Sequence, residues 1–472
     1  MSEGRIELTP LYQDIKSVIE APDNGRNIRL EATIHTEKED FRPLKVLMLQ
    51  NQRDYYKQTG ESFHLVVLMA MGDYTWRLLP FRDHLEISLK TLYQHKNGDL
   101  SATDPTREIR FKALIDTEKA NPYAGGDTVS NMEIESLNIS SPPLEVTFEL
   151  VDRCEEVLRL LQIDGTFPNV TMEQMLHGVF THKANKTKVD GKAILQVTDV
   201  YPPDNKKSYP DLIIPSGTLL RDLPGYLQEK SKGVYTAGIG GFFQRYHGEP
   251  AWFVYPLFRL ERFDEDCEKL VIYSAPQEKF PSLDQTYRKE GKVTYVVSTG
   301  VRKIIDNSRN PELNNGTGFR MSNAESMMLK PLEVKEEGLN ANRNRLNWEA
   351  SDGGRKDQLS VAPVRNSSAN PYTEYSRVIS KNFALVTLAW ENSDPDVVYP
   401  GMPCKYVYMD KGKYTETKGI IVKCNSVTQI QGNPMMDTPH RTMTNLQILI
   451  EPLSHLPDNE PGAAVQEKTN EH

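Results

Sequence analysis

A chain of 472 residues, 38% hydrophobic and 26% charged, is long enough for about three globular cores. Its formal net charge of −9 argues against a general affinity for nucleic acid, which needs a basic surface to displace counterions. The longest apolar run, Leu65–Met71, stops at Gly72-Asp73, far short of the roughly 18 residues of a membrane helix. The N-terminus has no basic region followed by an apolar one, so no signal peptide is expected, and assembly in a cytoplasm is.

Residues 1–24 hold a short amphipathic stretch from Leu11 to Glu20, closed by Ala21-Pro-Asp-Asn-Gly25. From Asn27 the period changes to two. Ile28, Leu30, Ala32 and Ile34 alternate with Arg29, Glu31, Thr33 and His35, the pattern of a half-buried strand. Further strands are predicted at Leu44–Gln52 and Phe63–Met71, with Gly72-Asp73-Tyr74 as a turn. Leu85–Lys90 alternates, Asn97-Gly98 reads as a hairpin tip and Arg107–Ile115 as the return. About five strands in so short a span predict a small antiparallel barrel or sandwich.

The middle is mixed. Ser140-Ser-Pro-Pro143 breaks the chain, Leu144–Val151 alternates, and Glu155–Leu161 looks helical. Thr171-Met-Glu-Gln174 fits a capping box ahead of Met172, Met175, Leu176, Val179 and Phe180 at helical spacing. Another helix is predicted over Thr218–Gln228, kinked or ended by Pro224. Residues 233–273 turn aromatic, with Gly248-Glu-Pro250 as a hairpin turn. A polar stretch after Lys330 has almost no core-forming pattern between Asn340 and Asn370, which suits a linker or a binding arm. Alternation then returns at Phe383–Trp390, Cys404–Met409, Lys418–Val427 and Leu446–Glu451, with Asp410-Lys-Gly412 as a turn. The tail from Leu456 reads as disordered.

Candidate chemistry is sparse. Cys154, Cys267, Cys404 and Cys424 lie at least 20 residues apart, which excludes a C-x-x-C site and predicts reduced thiols. Gly238-Ile-Gly240-Gly241 lacks the third glycine and following helix of a dinucleotide loop, and reads as a turn or close backbone contact. His177 and His182 are five apart, so a regular helix points them in different directions. Asp264-Glu265-Asp266 belongs to no calcium-loop pattern and reads as solvated charge. The aromatic block 233–273 reads as core. No G-x-S-x-G elbow is present, while distant carboxylate pairs for glycoside cleavage stay open. No catalytic, cofactor-binding or metal residue is therefore expected.

Phe41-Arg-Pro-Leu44 and Gly72-Asp-Tyr-Thr-Trp-Arg-Leu-Leu-Pro-Phe-Arg-Asp-His-Leu-Glu-Ile-Ser-Leu89 together resemble the first barrel of baseplate hub proteins of contractile-tailed bacteriophages. Tyr399-Pro-Gly-Met-Pro-Cys-Lys-Tyr-Val-Tyr-Met409, Lys418-Gly-Ile-Ile-Val422 and Arg441–Glu451 are similar to the partner barrel. Gly233–Gly238 with Tyr255–Phe263 looks like the inserted domain of that family. The likeness spans about 300 residues without an invariant motif, and 120–215 and 335–375 add nothing to it. Both β units show a strand, a tip at Asn-Gly or Lys-Gly and a long return, with negligible residue identity.

The resemblance implies a mainly β chain with α+β insertions, in which two small antiparallel β-barrel domains of tube type flank a mixed α/β middle. The expected division is 1–120 as the first barrel with its N-terminal helix, 121–232 as a mixed insert and 233–330 as an aromatic α+β insert. A polar arm at 331–378, the second barrel at 379–455 and a disordered tail at 456–472 complete it. A homotrimer would present six barrels to the sixfold tail tube and three copies of the rest to the central spike. Tape measure and other baseplate proteins would be neighbours, and genomic DNA would pass an acidic lumen without specific binding. That places the chain in the virion tail, as a non-catalytic subunit. The alternatives are another tail component such as a tube-end protein, or a wall-degrading or carbohydrate-binding tail protein.

Overall fold

The structure, a computed structural model, describes residues 10–20, 27–57, 60–94, 100–101, 108–116, 143–275, 286–300, 303–306, 318–321, 348–351, 360–361, 383–410, 413–431 and 439–451. Residues 370, 372, 373, 376 and 380 are described singly. The expected tip at Asn97-Gly98, Lys411 and Gly412 of the expected turn, the break at 140–142, most of the polar arm and the tail lie outside these residues.

The fold is mainly β. Helix α1 (Pro10–Ile19) precedes six strands: β1 (Asn27–His35), β2 (Lys45–Gln52), β3 (Ser62–Met69), β4 (Leu85–Gln94), β5 (Glu108–Ile115) and β6 (Leu144–Asp152). They pair antiparallel in the order β2–β3–β6–β5–β4–β1. The alternation does what a two-residue period requires: Leu30, Ala32 and Ile34 of β1 and Val146, Phe148 and Leu150 of β6 all point into one core. In β2 a bulge between Val46 and Met48 shifts that phase, so Asn51 turns inward beyond it. Strand β6, read from sequence within the 121–232 insert, sits between β3 and β5, because its apolar face has no other surface to cover it.

The expected turn at Gly72 opens instead into two short helical turns, Asp73–Leu78 and Leu79–His84. They bring Tyr74, Leu78 and Phe81 onto the same core. Arg77 fastens them, donating to both carboxylate oxygens of Glu39 at 2.9 Å and to Asp73 at 3.0 Å, with its guanidinium over the Phe41 ring.

The middle follows β6 directly. Asp152 caps helix α2 (Arg153–Leu160), accepting from the amides of Cys154 and Glu155. Strand β7 (Gln162–Val170) leads to the capping box, where the Thr171 amide donates to Gln174 Oε1 and the Gln174 amide to Thr171 Oγ1. A wide helical turn, Gln174–Gly178, and α3 (Val179–Lys186) follow. Then come β8 (Val197–Val200) and β9 (Tyr209–Leu219), the latter antiparallel to β7. The helix expected from Thr218 starts later, as a 3-10 turn at Leu220–Asp222 and α4 (Leu223–Glu229). Pro224 sits in the first turn of α4, where its missing N–H costs nothing. Hairpin β10 (Gly240–Tyr246) and β11 (Glu249–Tyr255) turns on His247 and Gly248, both at positive φ.

The C-terminal unit is assembled from two separated stretches. Strands β12 (Lys269–Ser274), β13 (Tyr287–Glu290), β14 (Val293–Ser298) and β15 (Lys303–Asp306) join β16 (Ala384–Glu391), β17 (Pro403–Asp410), β18 (Lys413–Ile430) and β19 (His440–Ile450). The order is β13–β14–β12–β17–β18–β19–β16–β15. Here the expectation of a purely antiparallel unit fails: β12 runs parallel to both β14 and β17. The reason is that 379–455 supplies only four of these strands, and the others enter from the preceding segment through crossovers. At the far side Ser298 Oγ donates to the Ala389 carbonyl, and a Cβ on Gly300 would stand 2.4 Å from that of Ala389, so only glycine allows this approach. Helix α1, expected with the first unit, instead buries Leu11, Ile15 and Val18 on Val271, Tyr273, Val297 and Val407 of the second.

Candidate functional site

The residues singled out from sequence do not converge. His177 and His182 are both exposed, on successive helical segments. Gly240 and Gly241 begin strand β10, and the Tyr255 ring fills the place of a Gly240 side chain, so this glycine run serves packing. Asp264 and Asp266 are exposed by 61% and 91%, which fits their reading as solvated charge, while Glu265 is half-buried. Lys418 Nζ lies 2.6 Å from Asp264, Tyr201 OH donates to Glu265 at 2.6 Å, and Lys292 Nζ lies 2.7 Å from Asp266. Among the described residues no three His, Cys, Asp or Glu groups could share a metal ion. The four thiols are free; burial pushes Cys154 up to about 11 and Cys424 up to about 12, which leaves neither a ready thiolate. The aromatic block is core: Tyr235, Phe242, Phe243, Trp252, Phe253, Tyr255 and Phe258 are all buried.

The unusual chemistry lies where three chain segments meet. Strand β2 keeps its inward phase past Leu49 and so sends Asn51 inside, and Arg53 follows. Strand β6 likewise ends its inward series, Leu144, Val146, Phe148 and Leu150, on Asp152. Arg53, Glu61, Asp152 and Glu155 are exposed by only 3%, 2%, 1% and 2%, which demands partners. Arg53 Nε pairs with Glu61, its Nη1 donates to the Pro395 carbonyl at 2.7 Å, and Nη2 lies 3.4 Å from Asp396 of the C-terminal unit. Glu61 also accepts from Asn51 Nδ2 at 3.4 Å. From hairpin β10–β11, Arg245 Nε donates to Asp152 at 2.5 Å and Nη1 to the Gly248 carbonyl. Glu155 holds Arg159 at 2.6 Å, while a Cβ on Gly60 would stand 1.8 Å from its carboxylate.

Burial raises the Glu61 carboxyl above its usual range, and Arg53 opposes that rise. Burial likewise pushes Glu155 up to about 7, against the pull of Arg159, with Glu61 and Asp152 adding to the rise. The acids face arginines, so the arrangement is a clamp: it fixes the first unit, the insert and Pro395–Asp396 to one another.

A second joint fastens the insert to the C-terminal unit, and to Tyr55 of the first unit, by other means. Phe253 stacks on Tyr399, Phe258 on Phe383, and Phe242 meets Tyr55 edge to face. Neutral bonds add direction: Tyr55 OH to Gln244, Gln244 Nε2 to the Val398 carbonyl, and Tyr255 OH to the Tyr55 carbonyl. The two β units also touch directly. β18 pairs with β2 through Ser426–Gln429, and β19 meets β1 at His440 and Ile28. His440 Nε2 lies 2.9 Å from the Val46 carbonyl. The far end of hairpin β18–β19 thus stands between β1 and β2, which do not pair with each other.

No family model and no curated protein matches the chain. Solved structures similar to it exist. Its structural neighbours include a prophage tail protein, VgrG-containing complexes and a type VI secretion component. The 43 kDa tail protein of prophage MuSo2 from Shewanella oneidensis matches with a TM-score of 0.44 and 11% identity, over 88% of this chain and 98% of that one. The Francisella PdpA-VgrG complex in its lidded form gives 0.44 and 11%, over 93% of this chain and 55% of that one. The E. coli c3393 protein, a component of the type VI secretion system with structural similarity to T4 tail proteins gp27 and gp5, gives 0.37 and 9%, over 88% and 76%.

Proposed function

We propose that this chain is a non-catalytic structural subunit of a phage tail or a related injection machine, acting as a baseplate hub. The observation that carries the reading is the shared hairpin. Strands β2, β3, β6, β5, β4 and β1 make one row of six, and β14, β12, β17, β18, β19 and β16 make another. The long β18 and β19 serve both. In this reading each row is a tube-type barrel, and the hairpin sets the two in fixed register. A rigid pair of like units per chain is what a symmetry adaptor needs: three copies present six barrels on one side and three copies of the insert on the other. Rows closed in this way, or across a ring of copies, would also remove strand edges that otherwise template aggregation.

The partners follow as part of the same proposal. The barrels meet the tail tube, the insert meets the central spike and other baseplate proteins, and tape measure and genome pass through the lumen. Light scattering coupled to size exclusion tests it: three copies of the 53.7 kDa chain give about 160 kDa, and an image of the particle shows threefold symmetry with six similar lobes. A monomer over the micromolar range, or a ring of another order, overturns the hub reading.

A further inference from the structure

A cavity of about 210 Å³ opens beside the charged clamp, and all three segments wall it. The first unit contributes an apolar lining of Leu30, Leu49, Phe63, Leu89 and Phe111. Thr428, Thr442 and Pro395 come from the C-terminal unit, and Arg245 comes from the insert hairpin. Most polar groups at its rim are spent on one another. Thr428 and Thr442 share a hydrogen bond at 2.8 Å, and Arg53 serves Glu61, Pro395 and Asp396. Asn51 differs. It is 93% buried, its Nδ2 is committed to Glu61, and Oδ1 has no hydrogen-bond partner among the described residues. The Glu61 carboxylate accepts only, so the amide cannot flip, and Oδ1 is the end left for the cavity.

We infer that this cavity binds a compact neutral amphiphile, with an apolar ring or short chain against Leu30, Leu49 and Phe111 and one O–H or N–H donor on Asn51 Oδ1. Size permits it: about 150 Å³ suffices for benzene in an apolar cavity. Charge narrows it. An anionic head has no proton for Oδ1 and meets arginines already paired, while a cation loses its hydration for a single acceptor. Because the walls come from three segments, occupancy stabilises the arrangement of all three by mass action.

The probes are benzyl alcohol and toluene, which differ by one donor group. Ligand-observed NMR and thermal shift on the full chain read their affinities. Benzyl alcohol binds about five- to tenfold tighter than toluene, as one extra hydrogen bond predicts. Asn51→Leu erases that preference and leaves toluene bound, since Arg53 still holds Glu61. Leu49→Phe narrows the cavity and weakens both probes. Absence of binding by either probe overturns the assignment. So does equal binding of the two, a preference that survives Asn51→Leu, or binding that ignores Leu49→Phe.

Discussion

The charged clamp and the aromatic joint rest on opposite physics. At the first, ionised groups are taken out of water and held by geometry: Arg53 with Glu61, Arg245 with Asp152. At the second, aromatic faces meet and only neutral hydrogen bonds cross. A buried ion pair gives little net stability over a well-packed apolar pair, but it penalises any displacement that strands one charge. An aromatic contact is stronger in sum and more forgiving of small shifts. The difference teaches that the first joint sets an angle and the second supplies adhesion.

The comparison breaks most sharply at Arg53. Arg53→Met leaves Glu61 buried without its cation and costs about 3–5 kcal/mol, whereas Arg53→Met with Glu61→Leu costs far less, since no charge is stranded. Urea titration of the three proteins reads this directly; equal losses in the single and double variants would show that packing, not charge, holds the joint. Next comes pH. The Glu155 carboxyl, pushed up to about 7 from an ordinary 4.5, keeps its proton in the folded chain when the unfolded chain has lost it. Between those values the native state binds more protons, so stability falls as pH rises through the window and stays low above it. The full effect is about 3 kcal/mol. Glu155→Gln flattens that slope, and a thermal melt series from pH 4 to 8.5 measures it.

Much of this was legible in the sequence. The alternations at 27–35, 144–151 and 383–390 are strands, the capping box at Thr171 closes as read, and the aromatic block is core. Which strands pair was not legible, because period two fixes a face and not a neighbour. Nothing in Lys269–Ser274 announces that it lies parallel to Pro403–Asp410. The clamp left a trace: Asn51 and Asp152 each continue an apolar inward series with a polar side chain, the signal of a buried group awaiting a partner. Their partners Glu61 and Arg245 stand in no pattern, since only the folded chain brings them near.

The mildest prediction tests the forgiving joint. Phe253 is buried between Tyr246, which it meets edge to face, and Tyr399, on which it stacks. Phe253→Leu keeps most of the apolar volume and loses the ring–ring terms, so the cost is about 1 kcal/mol. It should fall almost wholly on the midpoint of a denaturant titration, with an unchanged slope, because the insert still docks. If the joint were as exacting as the charged one, the loss would reach the Arg53→Met range and the slope would drop as the insert came free before the β units. The contrast between the two single variants therefore separates adhesion from alignment, with each joint serving as the control for the other.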